Sequence, residues 1–116
     1  ACPSGALILE GAADASRCLS CLLIENHNDQ LPEWVSDIVG DRVVGCDECQ
    51  LCCPHNAHAS VTTVKDFDLT DAVMSLTSDS IAQMTAGDFR RTFAHSAISR
   101  LRLKTLRRNA ALAKPK

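Results

Sequence analysis

Apolar residues recur at helical spacing in several short stretches of the chain, and residues that begin or end helices flank these stretches. Residues 17–25 have this spacing, and Asp14 precedes them as a candidate N-cap. Residues 31–40 have a proline at an expected first helical position and a glycine at an expected C-terminal cap. The pattern therefore predicts two short helices, which follow a short extended stretch at residues 7–9.

The second half of the chain has the same helical spacing, and its last part also carries many cations. Residues 69–76 and 81–84 predict short amphipathic helices, and another is expected to begin near residue 87. A longer amphipathic, basic helix is predicted from Ser96, because apolar positions are interleaved there with arginine and lysine. Its apolar positions are Ala97, Ile98, Leu101, Leu103, Leu106, Ala110 and Leu112.

These elements predict a mostly α fold, and the cysteines divide it into regions. Residues 1–57 contain all seven cysteines, residues 58–68 form a polar connector, and residues 69–116 form a small helical region that ends in the basic helix. With 116 residues, of which 46% are hydrophobic, the chain has material for one modest core.

The formal net charge of −2 conceals an asymmetry along the chain, because residues 1–86 sum to −10 and residues 87–116 to +8. A basic end of this kind suits an anionic partner, and we expect phosphate contacts. The alternative is an ordinary solvated helix face. The cations expected to contact phosphate, with no acid among them, are Arg100, Arg102, Lys104, Arg107 and Arg108.

Residues 46–54 concentrate four of the cysteines in one short run, GCDECQLCCP being the sequence from residue 45. Cys46 and Cys49 are spaced C-x2-C, and Cys49 and Cys53 are spaced C-x3-C with a proline directly after. This matches the second half of the bacterial ferredoxin pattern. The run predicts a ferredoxin-like 4Fe-4S cysteine-loop domain, although paired C-x2-C units also occur in zinc sites.

The ligands of a cluster follow from counting thiolates. In two-cluster ferredoxins, the cysteine before proline ligates the cluster that its three neighbours do not serve. By this crossover, Cys2 completes a 4Fe-4S site with Cys18, Cys46 and Cys49. Cys53 then belongs to a second cluster whose other ligands lie outside this chain. We interpret the two remaining thiols, Cys21 and Cys52, as packing residues, with Cys21 as an alternative ligand.

The sequence gives no sign of secretion or of membrane insertion. No charged segment followed by an apolar one opens the chain, and no apolar run approaches about 20 residues. A soluble protein in a reducing cytoplasm is expected. Because the chain begins with a Cys-Pro pair that looks like the end of a motif, we also expect a fragment of a longer protein.

Several spaced motifs together resemble those of epoxyqueuosine reductases. The resemblance covers nearly the whole chain except roughly residues 58–87. His55, Cys21 and Cys52 depart from the tryptophan, tyrosine and aliphatic residue that are usual there. The matching motifs are ACPSGAL at 1–7, DASRCLS at 14–20, IE at 24–25, LPE at 31–33, GDR at 40–42, GCDECQL at 45–51, CP at 53–54, Asn56, FRR at 89–91, SAI at 96–98 and LRRNAA at 106–111.

This resemblance implies a two-cluster, cobalamin-dependent enzyme that reduces epoxyqueuosine to queuosine at the wobble position of tRNA. Electrons would pass from a donor, such as a flavodoxin or ferredoxin system, through the clusters to cobalamin. In that family the cobalamin-binding domain, the catalytic acid and three cysteines of the other cluster precede the part seen here. We therefore expect a monomeric C-terminal part that relays electrons and docks tRNA but holds no catalytic residue.

Two other functions remain open at this point. The first is a stand-alone 4Fe-4S ferredoxin-type electron carrier, which the basic end and the unpartnered Cys53 make less attractive. The second is a zinc-stabilised nucleic-acid-binding module without a redox role.

Overall fold

The structure is a computed structural model that describes residues 2–8 and 11–114. Within these ranges the chain is mostly helical, as the sequence predicts, and its extended pairing is limited to one isolated bridge. Three 3₁₀ helices lie at Pro54–Asn56, Lys65–Phe67 and Ala97–Arg100. The α-helices are α1 (Leu19–Ile24), α2 (Val35–Ile38), α3 (Glu48–Leu51), α4 (Asp71–Met74), α5 (Ser78–Gln83), α6 (Ala86–Phe93) and α7 (Leu103–Leu112).

The described part of the N-terminal region makes a small turn before α1. Leu7 pairs with Ala13 in an antiparallel bridge, while residue 9 of the predicted extended stretch lies outside the described residues. The prediction that Asp14 caps α1 is wrong. Its carboxylate instead accepts hydrogen bonds from the backbone N–H and the hydroxyl of Ser16, at 2.9 and 2.6 Å. This local bonding competes with helix formation, and α1 begins only after Cys18.

The helix predicted at residues 31–40 is present in its central part, as α2. The backbone N–H of Val35 bonds to the carbonyl of Pro32 at 3.0 Å, so a turn precedes the helix. Gly40 follows the C-cap Val39 with a φ of +58°, as predicted for a glycine at this end. The turn after α2 then leads the chain towards Cys46.

The basic helix predicted from Ser96 is interrupted in the structure. Residues 97–100 form a 3₁₀ helix, and Leu101 and Arg102 have extended backbone angles before α7 begins at Leu103. The hydroxyl of Ser96 accepts a hydrogen bond from the N–H of Ile98 at 3.2 Å, which favours a tight turn. The break lets Leu101 enter the core, where it is 5% exposed.

Two clusters of buried side chains hold the fold together. The cysteine-side core consists of Leu19, Leu22, Leu23, Val35 and Val39. The helical core consists of Ile81, Met84, Phe89, Phe93, Leu101, Leu106 and Ala110. Helix α7 contributes to both, because Leu112 packs on the cysteine-side core. The helix thereby joins the two regions that the sequence separates by the connector.

The connector at residues 58–68 is exposed along its whole length and has one 3₁₀ turn, Lys65–Phe67. The region boundaries at 57–58 and 68–69 stay a prediction. None of the helices in the two described ranges has the length and apolar character that a bilayer crossing requires.

Candidate metal centre

The seven cysteines are all free thiols in the structure. Of the four predicted to share one cluster, Cys2, Cys18 and Cys46 are half-buried and Cys49 is exposed. Cys53 of the predicted second cluster is half-buried as well. Thiolates are the usual ligands of 4Fe-4S clusters, so the chemistry of this donor set fits such a group.

The thiol of Cys2 lies in a small cradle of hydrogen-bond donors. Its Sγ is 3.5 Å from the hydroxyl of the buried Ser4. This side-chain contact, followed by the backbone N–H of Leu7, lowers the pKa of Cys2 to about 7. Because the thiolate is the form that binds metals, the cradle favours the ligating state near neutral pH.

Cys18 stands at the start of α1, where it is the N-cap residue. Its backbone N–H bonds to the carbonyl of Asp14 at 3.1 Å, and its carbonyl accepts from the N–H of Leu22 at 2.9 Å. The helix is anchored by leucines in the cysteine-side core, including Leu19 and Leu23, which are 1% and 0% exposed. The position of Cys18 is therefore set by a buried helix.

The second group of predicted ligands begins at a turn that requires glycine. Gly45 has a φ of +75°, and Cys46 directly after it packs against the cysteine-side core. Cys49 lies within α3, which Arg42 ties to the preceding chain by an ion pair with Glu48. Arg42 also donates to the carbonyl of Val39, at 3.2 Å.

Cys53 and Cys52 end this cysteine run in different environments. Cys53 is the N-cap of the 3₁₀ helix Pro54–Asn56, and its carbonyl accepts from the N–H of Asn56 at 2.9 Å. Cys52 is exposed, with its thiol 3.7 Å from the carbonyl of Cys49. The prediction that Cys52 is a packing residue is therefore wrong. Cys21, one turn after Cys18, is half-buried.

A single-ion site is not assembled in the part of the chain that the structure describes. No three His, Cys, Asp or Glu side chains of residues 2–8 and 11–114 are placed to hold one metal ion. The predicted ligand set of Cys2, Cys18, Cys46 and Cys49, with Cys53 on a second cluster, stays a prediction.

Four of the five basic residues expected to bind phosphate have side-chain partners within the protein that the sequence does not reveal. Arg100 forms an ion pair with Glu25, and Lys104 forms one with Asp29 at 2.5 Å. Arg107 donates to the carbonyl of Met84 at 2.7 Å. The acids lie about 75 positions earlier in the chain, so no pattern within the basic segment could identify these pairs.

Arg108 is the most enclosed of these cations. Its guanidinium is half-buried and donates to the carbonyls of Leu22, Asn26 and Asn28, at 3.2, 2.9 and 2.6 Å. Burial lowers the pKa of Arg108 from its ordinary value. Arg102 differs, since its side chain is exposed and has no hydrogen-bond or ion-pair partner within residues 2–8 and 11–114.

Asn109 is a buried polar residue that sequence analysis did not single out. It is 0% exposed, and its amide nitrogen donates to the carbonyls of Leu23 and Val43, at 2.8 and 2.9 Å. The available signal was a polar residue on the apolar face of α7, between Leu106 and Ala110.

Comparison with known proteins identifies the cysteine region, residues 1–57. The family described as a 4Fe-4S double cluster binding domain matches residues 1–56. These residues therefore form a 4Fe-4S cluster-binding region, and this match favours a cluster over zinc.

The particular relatives share one name. An epoxyqueuosine reductase of Gloeobacter violaceus is 39% identical over 97% of this chain and 37% of its own length. One of Burkholderia pseudomallei is 38% identical over 97% of this chain and 27% of its own length. The chain is thus a relative of the epoxyqueuosine reductases, and it spans about a third of the length of the curated relatives it matches.

A solved structure has the same fold over the same part. A crystal structure of epoxyqueuosine reductase with an epoxyqueuosine-modified tRNA stem loop aligns with a TM-score of 0.84 and 29% identity. The alignment covers 97% of this chain and 30% of that chain. The resemblance inferred from the sequence motifs is confirmed.

Proposed function

We propose that this chain is the cluster-bearing part of an epoxyqueuosine reductase, an oxidoreductase that reduces epoxyqueuosine to queuosine in tRNA during queuosine biosynthesis. The observation that carries the proposal is the similarity to epoxyqueuosine reductases over 97% of the chain, together with the double-cluster domain match at residues 1–56. The chain covers about a third of those relatives. The activity is therefore proposed for a whole protein of that kind, with cobalamin as its second cofactor.

Within that protein, this chain's residues would hold the clusters. We assign Cys2, Cys18, Cys46 and Cys49 to one 4Fe-4S cluster and Cys53 to another. The donors around Cys2 favour its thiolate, α1 fixes Cys18, and Gly45 turns the chain so that Cys46 follows at the edge of the cysteine-side core. When bound, a 4Fe-4S cluster accepts and releases one electron at a time. No residue of this chain is assigned a catalytic role.

The basic segment would dock the anticodon region of tRNA through its phosphates. The five cations differ in how freely they can do so. The side chain of Arg102 is exposed and has no partner in the described part of the chain, while Arg100 and Lys104 are exposed but would exchange a carboxylate for a phosphate. The guanidinium groups of Arg107 and Arg108 already donate to backbone carbonyls. Arg102 is accordingly the strongest candidate among them.

The remaining partners follow from the proposed reaction. Reduction needs an external electron donor, for which a flavodoxin or ferredoxin system is the expected class. We propose a monomer in the cytoplasm, where tRNA is available.

Iron and acid-labile sulfide per chain, after anaerobic reconstitution, test the cluster assignment, with zinc assayed in the same sample. About four iron and four sulfide are expected for one complete cluster. The double change Cys46→Ser with Cys49→Ser should abolish bound iron, because it removes two of four ligands. The matched control Cys21→Ser should retain it. Zinc in stoichiometric amount without sulfide would contradict the proposal, and equal iron loss in the control would contradict the ligand assignment.

A further inference from the structure

Asn109 occupies a point on α7 where two segments of the cysteine region meet. Its side chain is fully buried, and the amide nitrogen donates to the carbonyl of Leu23 in α1 and to the carbonyl of Val43 in the loop between α2 and α3. The amide oxygen accepts from Nε and Nη2 of Arg108, at 3.1 and 2.9 Å. Both donors and the acceptor of the amide are therefore used.

The two carbonyls belong to segments that carry different predicted ligands of one cluster. Leu23 lies on α1, whose N-cap is Cys18, and Val43 lies three residues before Cys46. Although 27 residues separate these cysteines in the sequence, one buried side chain binds both of their segments. A single amide can fix the separation of the two segments, because each of its N–H groups is directed at one of them.

Arg108 strengthens the same connection at the far end of α1. The last carbonyls of a helix lack partners within the helix, and α1 has no basic residue in its last turn. Arg108 supplies the missing donors to Leu22 and to Asn26, which follows the helix. One end of α1 thus carries Cys18, while the other end is held by two consecutive residues of α7.

We propose that Asn109 is a positioning residue for the iron-sulfur cluster. By bonding to Leu23 and Val43 it keeps the segments of Cys18 and Cys46 at the spacing that a shared cluster needs. The inference rests on the proposed function, since it requires these two cysteines to bind one cluster. On this proposal, α7 also helps to retain the cluster, a role that its basic character alone does not suggest.

Thr105 provides a matched control on the same helix. It lies one turn before Asn109 on the same face and is 3% exposed. Its hydroxyl lies within hydrogen-bond distance of His27 Nδ1, at 3.4 Å. His27 lies beyond the C-terminal end of α1, outside the helix that carries Cys18 and the loop that leads to Cys46. Thr105→Val therefore disturbs the α7 interface without releasing the Leu23 or Val43 carbonyl.

The experiment compares the reconstituted full chain with Asn109→Leu, Asn109→Ser and Thr105→Val. The rate of iron release to a chelator is measured well below the melting temperature of every variant, and the electron paramagnetic resonance spectrum of the reduced cluster is recorded. Asn109→Leu should release iron about tenfold faster, in line with the loss typical of removed supporting contacts around a metal site. Its spectrum should also change, while Thr105→Val should match the unchanged chain in both.

The outcomes separate this inference from the function on which it rests. If the unchanged chain takes up no iron and sulfide, the proposed function fails and the inference fails with it. If it holds a cluster and the Asn109 variants release iron at the same rate, only the positioning role is overturned. Equal acceleration in Thr105→Val would also overturn it, since general loosening of the helix would then suffice. Should Asn109→Leu not fold, the smaller change Asn109→Ser carries the same comparison.

Discussion

Ser4 and Asn109 are buried polar residues whose contacts are not indicated by any sequence pattern. Ser4 lies only two residues from Cys2, but the contact between their side chains depends on the turn in which the N–H of Gly5 bonds to the carbonyl of Cys2, at 3.2 Å. Asn109 binds carbonyls 66 and 86 positions away. The cysteine ligands could be proposed from local spacing, whereas the residues that support them become visible only once the chain is folded.

Asp88 gives a prediction at this scale about stability and pH. Its carboxylate accepts from the N–H and the hydroxyl of Thr85, at 2.9 and 2.6 Å, and so completes a capping box at α6. The contact with Thr85 holds the pKa of Asp88 below its ordinary value of 3.8. A lowered folded-state pKa means that the stabilisation is present above the ordinary pKa and is lost as pH falls through the folded value.

Asp88→Ala should therefore lower the melting temperature at pH 7, and the difference from the unchanged chain should shrink as pH falls below about 4. The difference in melting temperature is measured by thermal unfolding at several pH values, with circular dichroism as the signal. Asp79→Ala is the control, because Asp79 lies in the first turn of α5, whose capping box uses Ser80 instead. A deficit for Asp88→Ala that is the same at every pH would contradict the prediction.

The helices differ in how far their ends could be predicted. The end of α2 was predicted from Gly40, because a glycine with positive φ terminates a helix through its own backbone. The start of α1 was not, because Asp14 bonds to Ser16 rather than to a helix N-terminus. The break before α7 was also missed, since helical spacing alone does not separate a 3₁₀ turn from an α-helix.

Helix α7 gives a prediction about tRNA at the scale of the element. Arg102 precedes the helix and its side chain has no partner within the described ranges, so Arg102→Gln should weaken tRNA binding without disturbing the fold. One lost phosphate contact should reduce the slope of log K against log salt by about 1. Arg108 is unsuitable for this test, because its change would also remove donors from the α1 carbonyls.

Arg90→Gln is the matched control for this measurement. Arg90 is exposed on α6, and the change removes the same charge from another helix. Binding measured by filter retention at several salt concentrations should distinguish the two variants. The same small loss in both would mean that net charge alone, rather than contact at the start of α7, determines the affinity.

At the scale of the whole molecule, the opposite charges of the two parts of the chain meet. The charge asymmetry was read from the sequence as a sign of an external anion, yet two of the cations pair with acids of the cysteine region. The two regions on either side of the connector can each be predicted from local sequence patterns. The contribution of α7 to both cores could not be predicted in this way, because it depends on packing across the connector.

The ion pair between Glu25 and Arg100 allows a test of this electrostatic attraction between the two parts of the chain. Each of Glu25→Arg and Arg100→Glu should lower the free energy of unfolding slightly, within about 1 kcal/mol, because both groups are exposed. The double swap should recover most of that loss at low salt and less of it at high salt. Chemical denaturation of the unchanged chain, the two single variants and the double variant measures the coupling free energy between Glu25 and Arg100. If the losses in the double variant were simply the sum of the two single losses, a direct ion pair would be contradicted.

The exposed connector has a consequence for the integrity of the protein. Lys65 is exposed there, within a segment that contributes no residue to either core. A trypsin cut after Lys65 would sever the peptide backbone but leave untouched every contact that α7 makes with the cysteine region. The two pieces of such a nicked chain should therefore stay together as a non-covalent complex and migrate as one species in gel filtration.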